Sequence, residues 1–252
     1  MTVDWSPLKS ELAIWRSEGR ALPLWWRDDD AIADTPALRK LLQMGEDMSL
    51  PVHLAVIPEP ATNELVQACA GTSFAIPIVH GWAHRNNAPP DAKKAEFGHP
   101  RSDAAAQTDM ALTRLKELFG AQLLEMFVPP WNRIDASVVN GLHTQGYHAL
   151  STFTPRATRQ VAGLVQINTH IDPIHWRGGG ALVAAEALID AIVRLLQDRR
   201  AGATDGAEPL GFLSHHLVHD AAIWGFTQNC LGVLLDGGAT PLNLQTMKGN
   251  LP

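Results

Sequence analysis

The sequence predicts an α/β fold in one domain spanning residues 1–252, with seven parallel strands curled into a closed or nearly closed barrel. An open doubly wound sheet is the alternative. Three observations lead there. Seven short apolar runs alternate with amphipathic stretches. No G-x-G-x-x-G or G-x-x-x-x-G-K-[ST] follows the first run, which weakens nucleotide-binding versions of the open sheet. Acids and histidines gather just after most of the runs, where parallel α/β folds place their sites.

The apolar runs are Leu22–Trp26, Val52–Ile57, Phe74–Val79, Leu124–Val128, Tyr147–Phe153, Leu164–Asn168 and Leu210–Leu213. Each has strand length, and several are rich in Val, Ile or aromatic residues. Between them, Thr35–Met48, Ala61–Ala70, Ser102–Phe119, Asp135–Gln145 and Ala181–Arg200 read as helices, with a last one from Ala221 to Leu235. Ser102 or Asp103, just after Pro100, is the candidate cap of the third. Arg85–Arg101 is the longest polar, Pro-containing stretch and reads as a loop over one barrel face.

With 20 basic and 26 acidic side chains the net charge is −6 and no Lys/Arg block stands out, so no nucleic-acid partner is expected. The 2 cysteines, Cys69 and Cys230, lie far apart in apolar contexts and read as buried thiols. No apolar run reaches about 18 residues, so no membrane span is expected. The N-terminal stretch lacks a basic start followed by an apolar core, and the expectation is a cytoplasmic protein. Homo-oligomerisation is left open.

The informative residues stand at the strand ends. Arg27, Asp28, Asp29 and Asp30 follow the first run, and His80 and His84 the third. Pro129–Arg133 follows the fourth. Asp172, His175 and Trp176 follow the sixth, and His215 and His216 the seventh. If a helical turn begins at Gly81, His80 and His84 face one way, and an Asp from a neighbouring strand completes a His-His-Asp set suited to zinc. Three adjacent carboxylates repel unless a cation is near, which favours a metal there.

In order, RDDDA, HGWAH, FVPPWN, DPIHW and LSH (residues 27 to 215) resemble the five motifs of the polysaccharide deacetylase family, carbohydrate esterase family four. The resemblance implies an incomplete (β/α)7 barrel, one divalent metal ion, zinc in the first instance, and hydrolysis of an N-acetylated sugar. His80 and His84 match the metal-binding histidines. Asp29 as general base with Asp30 as metal ligand is favoured over Asp28 with Asp29, because strand alternation then gives Arg27 and Asp29 one side. His215 matches the general acid, with His216 as fallback. Trp131 and Trp176 match positions that line the substrate groove, and Arg27 joins them as a substrate-binding residue. The family's motif arginine is replaced by Val128, with Arg27 or Arg133 to supply its charge, and His175 stands for a motif Asp. A backbone N–H near Trp131 is the implied oxyanion donor.

Two other functions fit the same residues. One is a hydrolase of a small non-sugar amide on the same scaffold, favoured by the absence of an export signal. The other is a non-catalytic carbohydrate-binding or regulatory domain, suggested by the missing motif arginine.

Overall fold

The computed structural model describes residues 3–247 and 249–251. Helix α1 (Ser6–Ser17) leads into strand β1 (Pro23–Ala31), α2 (Pro36–Asp47), β2 (Val52–Val56), α3 (Asn63–Ala70) and β3 (Ala75–His80). Then come α4 (Ala104–Phe119), β4 (Met126–Val128), α5 (Ala136–Gln145), β5 (Ala149–Leu150), β6 (Gln160–Val161) and β7 (Leu164–Gln166). The chain closes with β8 (Ile174–His175), β9 (Ala181–Leu182), α6 (Ala185–Arg200), β10 (Leu210–Ser214), α7 (Ala221–Asp236) and β11 (Thr240–Pro241).

The main sheet runs β10-β1-β2-β3-β4-β5-β7-β6. Seven of these strands pair in parallel, and each falls on one of the seven apolar runs. Only the β6–β7 hairpin on this path is antiparallel. Across its gap the curl is joined by the bridge of Ile171 to Phe212, where Leu213 N donates to Ile171 O at 2.8 Å and His170 N to Gly211 O at 2.8 Å. This is an incomplete (β/α)7 barrel.

β2 and β3 are buried along their whole length, as parallel strands covered on both faces must be. Leu24, Trp26, Val52, Leu54 and Val56 face the helices, packing with Leu38, Leu41, Leu65 and Leu231. Trp25, Ala55, Ile76, Ile78, Met126 and Val128 fill the barrel, which Leu244 and Leu251 plug from the C-terminal segment. Thr35, Thr62 and Asp220 cap α2, α3 and α7 by accepting from Leu38 N, Leu65 N and Ile223 N. Asp103 takes the N-cap position of α4, but its carboxylate turns to Arg101 and Gln107 instead.

The structure departs from the sequence reading in three places. α1 was not anticipated; it buries Leu8, Leu12 and Trp15 on one stripe. The helix expected from Ala181 begins at Ala185, because Ala181 and Leu182 pair with Ile174 and His175. β1 runs on through the aspartates to Ala31. Among the described residues, no helix is long and apolar enough to cross a membrane.

One buried histidine ties the barrel to its plug. His53 Nδ1 lies 3.1 Å from Trp26 O, and Leu244 N donates to its Nε2 at 3.2 Å. A carbonyl only accepts and an amide only donates, so both bonds hold the neutral ring, and burial pushes its pKa down to about 4 from 6.5. Between those values the unfolded chain binds the extra proton. Stability therefore falls as pH drops from 6.5 to about 4, by about 3 kcal/mol for this group alone. Urea midpoints followed across that range should drop more for the native chain than for His53→Gln; equal slopes would refute the assignment.

Candidate active site

The three aspartates of β1 point in three directions. Alternation sends Asp28 to the helix side with Trp26, and Asp29 to the interior with Trp25 and Arg27. At Asp30 the alternation breaks: its φ is 73°, and the pairing of β1 with β2 shifts register between Asp28 and Ala31. The bulge turns the Asp30 carboxylate toward β3.

There it meets both histidines, with Asp30 Oδ1 3.1 Å from His80 Nε2 and 3.3 Å from His84 Nε2. The ligand atoms of Asp30, His80 and His84 all lie within 4.8 Å of one another. Tetrahedral zinc with bonds of roughly 2.0–2.1 Å places its ligand atoms roughly 3.3 Å apart, so the spacing fits. His80 Nδ1 sits 3.0 Å from Val128 O, which can only accept; this leaves the Nε2 lone pair for a metal. Burial works against a charge on His80, but the Asp29 and Asp30 carboxylates raise its pKa, while burial and then the His80 charge hold that of His84 below its usual value; a cation bound here would take the place of the His80 proton. Burial works against the Asp30 charge, yet the His80 hydrogen bond and the neighbouring imidazolium charges hold its carboxyl well below the usual range.

The histidines meet without the expected helical turn. After β3 the chain passes through Gly81 (φ 60°) to His84 (φ 54°), and no helix forms between them. A Cβ at Gly81 would collide with Glu96 and Pro130. Glu96 is buried and organises the turn: its carboxylate accepts from the backbone N–H groups of Trp82, Ala83, His84 and Arg85 at 2.9–3.5 Å. A lone Glu in a polar loop gives no such signal in the sequence.

Arg27 is fully buried beneath Asp29. Its Nε lies 2.8 Å from Asp29 Oδ1, and Nη2 donates to Asp29 Oδ2 at 3.0 Å. The other donor positions serve Ser151 Oγ, Thr152 O and Asn132 Oδ1 at 2.7–3.1 Å. With its donors spent inside the barrel, Arg27 does not line the cavity, and the expectation of substrate contact is corrected to support of Asp29. Arg133, the other candidate for that charge, donates to Lys94 O at 2.6 Å instead.

His215 follows β10 and brings Nε2 to 3.9 Å from Asp29 Oδ2. Its ring packs edge-on against Trp176, 4.7 Å between centroids. The Trp176 indole N–H donates to Asp172 Oδ2 at 2.8 Å, and burial raises the Asp172 pKa. His216 points the other way. Its Nδ1 lies 2.5 Å from Asp28 Oδ1, while Asp28 Oδ2 accepts from Ser214 Oγ and His216 N at 2.6 and 3.0 Å. Asp28 and His216 thus form a clasp within the wall, and neither lines the cavity.

The cavity measures about 570 Å³. Asp29, Asp30, His80, His84 and His215 stand around it, with Trp131 and Trp176 on its walls. Trp131 lies 4.2 Å from the His84 ring, and Trp176 is 52 % exposed. Trp131 (φ 57°) and Asn132 (φ 56°) are consecutive left-handed residues, a sparsely populated arrangement that clusters at functional sites. Lys94 and Phe153 also line the cavity and carry no signal in the sequence; Asn132, which stands in FVPPWN without an assigned role, lines it too.

No family model and no curated protein matches this sequence. Solved structures do. A peptidoglycan N-acetylglucosamine deacetylase aligns over 90% of this chain and 88% of its own, with 15% identity and TM-score 0.58. The chitin deacetylase of Colletotrichum lindemuthianum aligns over 92% and 90%, with 15% identity and TM-score 0.54. A family 4 pseudoenzyme from Bacillus anthracis aligns over 90% and 66%, with 10% identity and TM-score 0.57. The chain has the fold of these carbohydrate esterases of family four.

Proposed function

We propose that this chain, built on the fold of the family four carbohydrate esterases, is a metal-dependent amide hydrolase that removes an acetyl group from an N-acetylated sugar. The observation that carries the reading is convergence: a buried carboxylate and an imidazole 3.9 Å apart face one cavity beside a His-His-Asp set.

A divalent ion held by Asp30, His80 and His84, with zinc favoured by the two imidazoles, would polarise the amide carbonyl and acidify a water. Asp29, oriented by Arg27, takes the proton of the attacking water. The Trp131 backbone N–H is the proposed donor to the developing oxyanion. His215, 3.9 Å from Asp29, gives a proton to the leaving amine. Trp131 and Trp176 offer faces for a sugar ring. One family four neighbour was solved with a cobalt ion and another with acetate, which agrees with such a site.

The purified protein should bind about one equivalent of divalent metal, and His80→Ala should lose it. Elemental analysis after dialysis reads this directly; native protein without affinity for zinc, cobalt or nickel would sink the reading. An amine-release screen of the metal-loaded protein over acetylated sugars and small linear and cyclic amides then separates sugar from non-sugar substrates. Because a pseudoenzyme shares the fold, metal binding with no amine release on either panel would point to the non-catalytic alternative.

A further inference from the structure

Three residues of the cavity lining, Lys94, Asn132 and Arg133, carry hydrogen-bond donors at their side-chain ends. Asn132 Oδ1 accepts from Arg27 Nη2 at 2.7 Å, which fixes the amide orientation. Its Nδ2 has no partner among the described residues and belongs to the cavity lining. Beside it stand Arg133 and Lys94, also lining the cavity. Arg133 Nη1 donates to Lys94 O at 2.6 Å, tying the loop to the turn that carries Trp131. Lys94 is two residues from the buried Glu96, so the loop is anchored where it meets the wall. Neither the Arg133 guanidinium nor the Lys94 ammonium meets a carboxylate among the described residues.

The acids around the same cavity are all engaged. Asp29 is tied to Arg27, Asp30 to the two histidines, and Asp172 to Ile174 N and Trp176 Nε1. The uncommitted charges of the lining are therefore both cationic, in a chain whose net charge is −6. Trp131, Phe153 and Trp176 give the same cavity its aromatic lining.

We propose that Lys94, Asn132 and Arg133 form an oxyanion subsite, so that the acetylated substrate carries a carboxylate or phosphate beside the ring that bears the amide. The substrate class rests on the deacetylase reading; the anion subsite itself does not. A planar guanidinium, an amide N–H and an ammonium lining one cavity match the two or three oxygens of such a group.

The test measures binding, by calorimetry on zinc-loaded protein at low and high salt. The probes are N-acetylglucosamine, its 6-phosphate, and N-acetylmuramic acid, which bears a carboxylate. At least one anionic probe should bind roughly tenfold more tightly than the neutral sugar at low salt, with the margin shrinking as salt rises. Whichever probe gains identifies phosphate or carboxylate as the group. In Lys94→Gln/Arg133→Gln the anionic-to-neutral ratio should fall to within about twofold. Equal binding of all probes by the native protein, or a ratio that survives in the double variant, overturns the proposal. Amine release on the same probes keeps the two readings apart. Anion preference without hydrolysis retains the subsite and removes the deacetylase. Equal binding and hydrolysis of neutral and anionic sugars does the reverse.

Discussion

Replacing Asp29 with Asn should lower the rate of amide hydrolysis by about 10²–10⁴-fold, the span attributed to a positioned general base. Metal binding should persist, because Asp30, His80 and His84 are untouched. The change keeps the side-chain volume and removes the proton acceptor; it also takes the counter-charge from buried Arg27, so urea unfolding is followed on the same variant to separate lost folding from lost chemistry. kcat, KM and metal content measured on the same preparation make the test sharp. A fall in kcat at full metal occupancy supports Asp29 as the base. Near-native kcat would reassign the base to another carboxylate of the cavity, of which Asp172 is the neighbour with a raised pKa.

The second large effect is on stability. Arg27→Met should cost about 3–5 kcal/mol, since it leaves the buried Asp29 carboxylate without its counter-charge. Arg27→Lys should recover only part of this. One ammonium cannot serve Asp29, Asn132, Ser151 and Thr152 from the positions that a planar fork reaches together. The double variant Arg27→Met/Asp29→Leu should recover much of the loss, because apolar pairs of similar volume replace buried ion pairs with little penalty. Urea unfolding of the three variants checks the order. An Arg27→Met chain as stable as the native one would show that the Arg27–Asp29 pair does not hold the barrel interior together.

Much of this is legible in the sequence. The seven strands stand out because parallel strands covered on both faces must be apolar throughout, and runs such as Val52–Val56 are. The shared side of Arg27 and Asp29 follows from the two-residue period of a strand. What the period does not give is depth. Arg27 is sealed by Ser151, Thr152 and Asn132, more than a hundred residues away in the chain, so its role beneath the base appears only once the barrel closes. α1 escaped notice because its stripe is only Leu8, Leu12 and Trp15 in a short helix. Glu96 escaped because its partners are backbone N–H groups, which every residue but proline has and no sequence pattern marks. The HxxxH spacing paired the right imidazoles for a different reason: a left-handed loop around Glu96, not one helical face, brings them together.

The run Asp28-Asp29-Asp30 writes three unlike jobs in one repeated letter: a wall clasp, an interior carboxylate held by Arg27, and a bulged residue turned toward two histidines. Sliding a relative's sequence by one position through this tract leaves aspartate aligned with aspartate at two of the three places. An alignment score would barely register the slip, yet every assignment taken from it would be displaced by one. For chains this diverged, correspondence between relatives is better anchored on the partner, arginine two positions earlier or histidine across the strand, than on the acid itself.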